Sequence, residues 1–156
     1  MSLEKVKDFF KQYNLEDKII ILDETSATCE LAAKALGTEE KRIAKSMGFM
    51  VKDTPIIIVT SGDMKIDNSK YKHIFLVKAK MLTQEELIEF IGHPAGGVCP
   101  FGVKENVKIY LDISLKRFTT VFPACGSINS AIELTIPELE KYSNYEKWID
   151  VCKGKE

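Results

Sequence analysis

The sequence predicts an α+β protein built on a mixed sheet, and three observations lead to that prediction. The chain has 156 residues, 45% apolar and 29% charged, which is ordinary globular composition with enough length to bury one core. Segments with the 3.6-residue period of helices occur among short apolar runs typical of strands. The two kinds of segment do not alternate strictly, as they would in a doubly wound fold. We therefore expect residues 1–156 to form a single domain.

The first half of the chain predicts helices and strands separated by clear turn signals. Gly37 ends one helix, and residues 61–63 (SGD) form a turn. The lysine-rich stretch 64–73 predicts a loop with a short helix. The other predicted segments are a helix over 3–13, a buried strand over 18–22, a helix from the N-cap Ser26 to Leu36, and strands over 43–51 and 55–60.

The second half adds two capped helices around a glycine-rich loop. The sequence 83–86 (TQEE) is a capping box that begins a helix, which Gly92 ends, and residues 92–102 form a structured loop. A second capping box, 135–138 with Pro137, begins another helix. The remaining predicted segments are strands over 73–77, 107–113, 118–122 and 130–136, and a last helix over 145–152 with Trp148 on its apolar side.

The bulk features exclude several classes of protein. No apolar stretch approaches the roughly 20 residues of a membrane helix, and the first ten residues carry charges where a signal peptide is apolar. The four cysteines form no C-x-x-C pair, and there are only two histidines. Neither a P-loop nor a G-x-G-x-x-G motif is present. We expect a reduced, cytoplasmic protein with no cofactor and no bound metal.

The net charge of −1 conceals an uneven distribution along the chain. Residues 41–80 hold nine Lys and Arg against three Asp and Glu, whereas the segments before and after are acidic. Within this stretch lies a basic segment, residues 65–80, with five lysines against Asp67 alone. A lysine run is usually a solvated face, but a concentrated one also gives the field that attracts a phosphate backbone.

Lys45 interrupts an apolar face of the predicted strand 43–51. Period-two alternation places it with Ile43, Met47, Phe49 and Val51, all bulky and apolar. Burying an unpaired ammonium costs several kcal/mol, so Lys45 needs a partner, a strand end or a cavity. The pattern leaves two interpretations open: an edge lysine that reaches past its neighbours to water, or a cation at the floor of a pocket.

The loop 92–102 (GHPAGGVCPFG) is longer than a helix-to-strand connection usually needs. Gly96 and Gly97 permit positive φ and leave amide groups accessible, and two prolines stiffen the loop. Such a loop is suited to binding an oxyanion with backbone donors. A plain tight connection explains the same residues.

Two cysteine-containing segments allow further interpretations. The sequence 124–127 (ACGS) lies between two predicted strands, where a hairpin turn is the simplest explanation. Cys99 and His93 share one loop, which permits a thiol hydrolase with the cysteine as nucleophile and the histidine as base. No acidic partner is evident for that pair, and a packed cysteine is commoner.

Five pieces of the sequence, in this order, resemble the YbaK/prolyl-tRNA-synthetase-associated family, the free-standing prolyl-tRNA editing domains. The similarity covers residues 20–140. It rests on the Ser26 turn before AAKALG, IAKSMGF with Lys45, SGDMKIDNSK, GHPAGGVCPFG, and ACGS followed by NSAIELT. The resemblance implies a curved, mixed, partly barrel-like sheet flanked by helices. It also implies hydrolysis of the ester that joins a wrong small amino acid (Ala, Cys, Ser or Thr) to tRNA, commonly tRNA(Pro).

The resemblance and the chemistry together indicate site residues. An aminoacyl ester is already activated, so position and electrostatics matter more than a strong nucleophile. Lys45 would anchor the terminal adenosine or the carbonyl side, and loop amides would polarise the carbonyl while a water attacks. The predicted catalytic residues are Lys45, Gly97, Val98 and Cys99. The predicted substrate-binding residues are Thr25, Ser26, Ser46, Gly96, Pro100, Gly126 and Ser127. The predicted tRNA-binding residues are Lys65, Lys70, Lys72, Lys78 and Lys80.

The expected partner is the acceptor end of a mischarged tRNA, with prolyl-tRNA synthetase as a second partner left open. We expect neither a membrane nor DNA as a partner. A non-catalytic tRNA- or synthetase-binding module of the same fold is the alternative to a deacylase. The sequence leaves open which amino acid is removed and the oligomeric state.

Overall fold

A six-stranded mixed sheet forms the centre of the fold in the computed structural model, which describes residues 2–155. The strands are Ile20–Ile21 (β1), Ile43–Val51 (β2), Thr54–Ser61 (β3), Met64–Ile66 (β4), Lys108–Asp112 (β5), Thr120–Pro123 (β6), Ser130–Ala131 (β7), Leu134–Thr135 (β8), Lys147–Ile149 (β9) and Cys152–Gly154 (β10). The central sheet has the order β8-β6-β2-β3-β5-β9 and curves into a half-barrel, which confirms the predicted fold class.

The direction of the strands makes the sheet mixed. β2 and β3 form a long antiparallel hairpin, while β6 runs parallel to β2 and β5 runs parallel to β3. β9 continues the sheet in parallel beside β5, and β8 closes the other edge antiparallel to β6. Two separate ribbons, β1 with β7 and β4 with β10, lie outside this sheet.

The helices begin and end at the residues that local chemistry favours. Both capping boxes are present, with Thr83 and Glu86, and Thr135 and Glu138, bonding to each other's backbone amides. Gly37 and Gly92 end their helices in the left-handed conformation. The α-helices are Ser2–Lys11 (α1), Cys29–Leu36 (α2), Asn68–Phe75 (α3), Gln84–Glu86 (α4) and Ile136–Ser143 (α5), with a π-helical turn Leu87–Ile91 after α4 and 3₁₀ turns Glu16–Lys18, Glu40–Arg42 and Ile113–Arg117.

The predicted start of the second helix and the preceding buried strand were both wrong in detail. Thr28 caps α2 by accepting a hydrogen bond from the Leu31 amide, because the Ser26 hydroxyl is used instead on the Ile128 carbonyl. The strand predicted over 18–22 is only β1, and Ile20 and Ile21 are exposed instead of buried.

Two further elements differ from the prediction. Residues 73–75 belong to α3, not to a strand, because the Asp67 carboxylate caps that helix through the amides of Ser69 and Lys70. The segment predicted as a last helix forms β9 and β10 instead, and the strand predicted over 130–136 is split into β7 and β8. For β7, β8, β9 and β10, pairing with a strand from elsewhere in the chain outweighs local periodicity.

Apolar clusters cover both faces of the β2–β3 hairpin. The larger one packs α1, α5 and the π-helical turn against one face, and a second packs α3 against the other. Gly48 of β2 has no side chain where Leu82 and Leu87 approach, and a Cβ there would lie 2.7 Å from a Leu87 methyl. The absent side chain of Gly48 therefore lets these leucines pack directly on β2.

Within residues 2–155, no helix is long and apolar enough to cross a membrane. The same residues contain no group of three or more His, Cys, Asp or Glu side chains placed to hold a metal ion.

Candidate active site

A small pocket lies where the N-terminal ends of α2 and β2 meet the glycine-rich loop. It holds about 440 Å³, counting its open mouth. Most of its wall is apolar or small, and its polar atoms come from hydroxyl groups, one thiol and one ammonium. The lining residues are Ser26, Ala27, Thr28, Cys29, Ala32, Leu36, Ile43, Ala44, Lys45, Ser46, Gly96, Val98, Phe122, Ala124, Ser130 and Ala131.

The pocket exists because two parallel strands separate. β6 pairs with β2 only opposite Ile43 and Ala44, and beyond Pro123 the chain turns away. β2 continues for seven more residues alongside β3, and the edge of β2 that faces β6 is no longer paired with β6 there. We call the gap between β2 and β6 the fork. Side chains from both faces of a strand can reach a cavity at its edge, which is why the neighbours Lys45 and Ser46 both line this one.

One face of α2 closes one side of the fork. Cys29, Ala32 and Leu36 recur at helical spacing and face the pocket. Burial raises the pKa of the Cys29 thiol, and the nearby charge of Lys45 opposes that rise. At neutral pH this thiol is therefore protonated and acts as a small wall group.

Among residues 2–155, Lys45 is the only cation in the pocket wall. Its ammonium is half-buried and donates to the carbonyl oxygen of Met64 at 2.7 Å. Across residues 2–155, no carboxylate lies within 4 Å of this ammonium. An ammonium has three N–H donors, so Lys45 keeps donors for another oxygen. Of the two interpretations that the sequence left open, the structure places Lys45 at a pocket.

Most hydroxyl groups around the pocket already have partners. Ser26 donates to the Ile128 carbonyl at 3.0 Å, Thr28 caps α2, and the Ser130 hydroxyl lies 2.6 Å from that of Ser127. The Ser46 hydroxyl is buried and has no hydrogen-bond partner among the described residues. A buried, unpaired hydroxyl in a native pocket calls for a ligand or a water.

The glycine-rich loop contributes Gly96 and Val98 to the wall. Gly96 has φ +83, a conformation that favours glycine, and its neighbour Gly97 packs directly on the backbone of residues 126 and 127. The Gly97 amide donates to the Pro94 carbonyl at 3.0 Å, which removes it from the predicted set of free oxyanion donors. Among residues 2–155, no acceptor pairs with the Val98 amide.

Comparison with known proteins identifies the family. A profile of the aminoacyl-tRNA editing domain matches residues 23–142, which include every residue of the pocket wall. The chain belongs to the aminoacyl-tRNA editing domain family.

Three proteins similar to this editing domain carry names that differ in the function they state. The chain is 52% identical to the uncharacterized protein YwhH of Bacillus subtilis over 98% of both chains. It is 28% identical, over 71% of this chain and 69% of the relative, to a proposed Cys-tRNA(Pro)/Cys-tRNA(Cys) deacylase, EbsC, of Enterococcus faecalis. A crystal structure of a proposed trans-editing enzyme for prolyl-tRNA synthetase has 26% identity and TM-score 0.87 over 98% of both chains.

The editing domain also resembles a segment of longer enzymes. It is 27% identical to the proline–tRNA ligase of Ligilactobacillus salivarius over 64% of this chain, but the match spans only 16% of that ligase. The similarity is thus to one part of the synthetase and leaves its other parts without a counterpart here.

Cys99 does not have the surroundings of a nucleophile in this editing domain. It is fully buried, lies behind the pocket wall, and burial raises its pKa to about 12. Its sulfur lies 3.6 Å from Nε2 of His93, but that nitrogen bonds to the Phe101 carbonyl at 2.6 Å and so carries its proton. Burial also lowers the pKa of His93. The thiol-hydrolase hypothesis therefore lacks both an accessible thiolate and a free base.

The pocket brings together only some of the residues predicted for substrate binding and catalysis. Lys45, Ser26, Ser46, Gly96 and Val98 line it. The others support the wall from behind: Gly97, Cys99 and Pro100 are buried, Gly126 takes φ +91, Ser127 bonds to Ser130, and Thr25 is exposed and bonds to the Ile128 carbonyl.

Sequence reasoning missed several wall residues. Thr28, Cys29, Phe122 and Ser130 all line the pocket. The helical spacing of Cys29 with positions 32 and 36 was a usable signal for α2. Phe122 is placed by the pairing of β6 with β2 and Ser130 by the pairing of β7 with β1, which local patterns do not reveal.

The basic segment 65–80 starts beside the pocket, because Met64 accepts the bond from Lys45. Lys72 and Lys78 are exposed and share one surface groove, while Lys70 is tied to Asp150 at 3.0 Å and to the Cys152 carbonyl at 2.8 Å. Lys65 and Lys80 are also exposed.

Two lysines near the end of the chain lie close to this segment. β10 places Lys153 opposite Lys65, and Lys155, which follows β10, lies in a groove that includes Lys45. These C-terminal lysines extend the basic surface in space, although their part of the sequence is acidic overall.

Proposed function

We propose that this protein is a trans-editing aminoacyl-tRNA deacylase, which hydrolyses the ester between a mischarged small amino acid and tRNA(Pro). One observation carries the proposal: the ammonium of Lys45 faces a small pocket with spare donors and no carboxylate within 4 Å among residues 2–155. A cation placed in this way attracts a carbonyl or phosphate oxygen of a substrate.

The shape and lining of the pocket favour a small amino acid. The wall between α2 and β2 is built largely from alanine, serine and glycine, and its largest apolar side chains are those of Phe122, Leu36 and Ile43. The volume of about 440 Å³ includes the mouth, so the enclosed part is smaller still. Large aminoacyl groups would have to displace the packed residues of α2 or of the glycine-rich loop.

The reaction needs a water and positioned donors, not a protein nucleophile. The water adds to the ester carbonyl, the carbonyl oxygen becomes an oxyanion, and the bond to the ribose oxygen then breaks. The products are the free amino acid and the tRNA, whose ribose oxygen takes up the proton from the water. In this proposal Lys45 and the Val98 amide stabilise the oxyanion, and the neighbouring ribose hydroxyl helps to orient the water.

Two kinds of observation support tRNA(Pro) as the substrate and the lysine surface as the place where it binds. Among the relatives, one is named a proline–tRNA ligase, one a proposed Cys-tRNA(Pro)/Cys-tRNA(Cys) deacylase and one a proposed trans-editing enzyme for prolyl-tRNA synthetase, which favours tRNA(Pro) and a synthetase partner. The exposed lysines Lys65, Lys72, Lys78 and Lys80, with Lys153 of β10 and Lys155 after it, form the proposed tRNA surface, and Lys155 shares a groove with the pocket residue Lys45. This surface would contact the phosphates of the acceptor end.

A panel of four charged tRNAs tests the activity. Purified protein is incubated with tRNA(Pro) carrying alanine, cysteine, serine or threonine, and release of the labelled amino acid is followed against spontaneous hydrolysis. We expect enzymatic release of at least one of the four. Saturable binding of charged tRNA with no release of any would support the non-catalytic binding module instead and would refute the deacylase.

Reversing the charge of Lys72 and Lys78 tests the tRNA surface. Lys72→Glu with Lys78→Glu should weaken tRNA binding about tenfold and lower the salt dependence of binding, because phosphate contacts release counterions. The turnover of bound substrate should stay near that of the parent protein. Titration of labelled tRNA at several salt concentrations measures both effects.

The matched control for this double variant is Lys7→Glu with Lys11→Glu, which makes the same charge change on exposed positions of α1. Equal weakening by the two double variants would indicate a general charge effect and would contradict a tRNA site at the basic segment.

A further inference from the structure

Among the hydroxyl groups that residues 2–155 place around the pocket, that of Ser46 is left without a hydrogen-bond partner by the fold. It is buried and has no partner among the described residues, whereas the hydroxyls of Ser26, Thr28 and Ser130 around the same pocket are all bonded. A buried hydroxyl without a hydrogen bond costs about 1–3 kcal/mol, so a pocket that contains one favours a ligand atom that completes the bond.

The backbone of Ser46 is also free on the side of the fork. In an antiparallel strand, alternate residues direct their amide and carbonyl groups to the same edge. At this edge of β2, the Met50 amide donates to Lys80 and the Gly48 carbonyl accepts from Leu82. Ser46 lies two residues before Gly48, so its amide and carbonyl face the same edge. β6 has already separated there, and no described residue bonds to them.

The apolar surroundings of Ser46 limit the kinds of aminoacyl side chain that this site can bind favourably. Ala32, Ile43, Val98 and Phe122 provide hydrocarbon walls, while the thiol of Cys29 is protonated and a weak donor. An aminoacyl side chain that carries one hydrogen-bonding atom can satisfy Ser46 inside these walls. A methyl side chain fits the volume but leaves the Ser46 hydroxyl unpaired.

We propose that Ser46 determines specificity, by hydrogen bonding through its hydroxyl to the side chain of the bound amino acid. The proposal rests on the deacylase function proposed above and adds the substrate class. The protein prefers hydroxyl amino acids, serine and threonine, over alanine. Cysteine ranks below serine and threonine and above alanine, because a thiol makes weaker hydrogen bonds than a hydroxyl.

The Ser46→Ala variant tests this assignment on one tRNA with different amino acids. kcat/KM should fall about tenfold for Ser-tRNA(Pro) and Thr-tRNA(Pro), because each loses one hydrogen bond in a buried site. For Ala-tRNA(Pro) it should stay equal or rise. Since the tRNA is identical in every assay, any change in tRNA binding cancels in the ratio of serine to alanine.

The remaining outcomes separate failure of this assignment from failure of the deacylase. An equal loss for all amino acids would place Ser46 at the ribose or the carbonyl and overturn the side-chain contact. No change in any rate, or a parent protein that hydrolyses alanine as fast as serine, would overturn it too. If the parent releases none of the four amino acids, the deacylase itself fails.

The control variant is Ser143→Ala, which removes a buried serine hydroxyl in α5 away from the pocket lining. Its serine-to-alanine ratio should equal that of the parent protein. Thermal unfolding of both variants, together with retained hydrolysis of Ala-tRNA(Pro) by Ser46→Ala, confirms that the proteins are folded.

Discussion

Replacing Lys45 by alanine should lower kcat/KM for deacylation at least about 100-fold, the usual effect of removing a donor to an oxyanion. The ammonium is the only cation that the described part of the chain places in the pocket wall, and it keeps two donors beyond its bond to Met64. The loss should appear mainly in kcat, because the exposed lysines of the basic segment still bind the tRNA. Single-turnover hydrolysis and a separate tRNA titration measure the two quantities.

Two variants make this result interpretable. Lys45→Met keeps most of the apolar stem in β2 and removes the charge, so it should be as inactive as Lys45→Ala if the ammonium is what matters. Cys99→Ala should keep nearly full activity, because that thiol is buried behind the wall. Full activity of Lys45→Ala, or inactivity of Cys99→Ala in a folded protein, would refute the proposed mechanism.

Adding one methyl group at Gly97 should damage both stability and activity. An ideal Cβ at this position would lie 2.6 Å from the Ser127 amide nitrogen and 2.7 Å from the Gly126 carbonyl carbon, and backbone atoms cannot rotate away. Overpacking of this kind costs about 1–3 kcal/mol, which lowers Tm by roughly 3–10 °C in a protein of this size. The displaced loop would move Gly96 and Val98 from the pocket, so kcat/KM should fall at least tenfold.

Gly154→Ala is the matched control for the same chemical change. A Cβ at Gly154 would meet nothing within 4 Å, and its φ does not require glycine. This variant should unfold at the parent temperature and retain parent activity. If Gly97→Ala behaves in the same way, the loop does not depend on close contact with residues 126 and 127.

The parts of the fold that depend on local chemistry were predictable. The capping boxes at Thr83 and Thr135 and the strand Ile43–Val51 all lie where the sequence placed them. Lys45 was recognisable because a charge interrupted an apolar face, which needs only the alternation of one strand.

The parts that depend on distant pairing were not predictable. The segment around Trp148 has helical spacing but becomes β9 because it pairs with β5, and the Trp148 indole donates to Glu140 at 2.8 Å. The hydrogen bond from the Gly97 amide to the Pro94 carbonyl could not be predicted either, because it depends on how the whole loop folds. The fork that opens the pocket follows from where β6 stops pairing with β2, and no local pattern encodes that point.

The position of β10 has a practical consequence for experiments on this protein. Lys155 lies in a groove with Lys45 and Thr28 and pairs with Glu40, so a polypeptide fused directly after residue 155 would start beside the pocket. An acidic affinity tag fused there would compete with the acceptor end of a tRNA for the same lysines. Assays that compare substrates are therefore best made without a fusion after residue 155, since inhibition by the fused tag would be mistaken for low intrinsic activity.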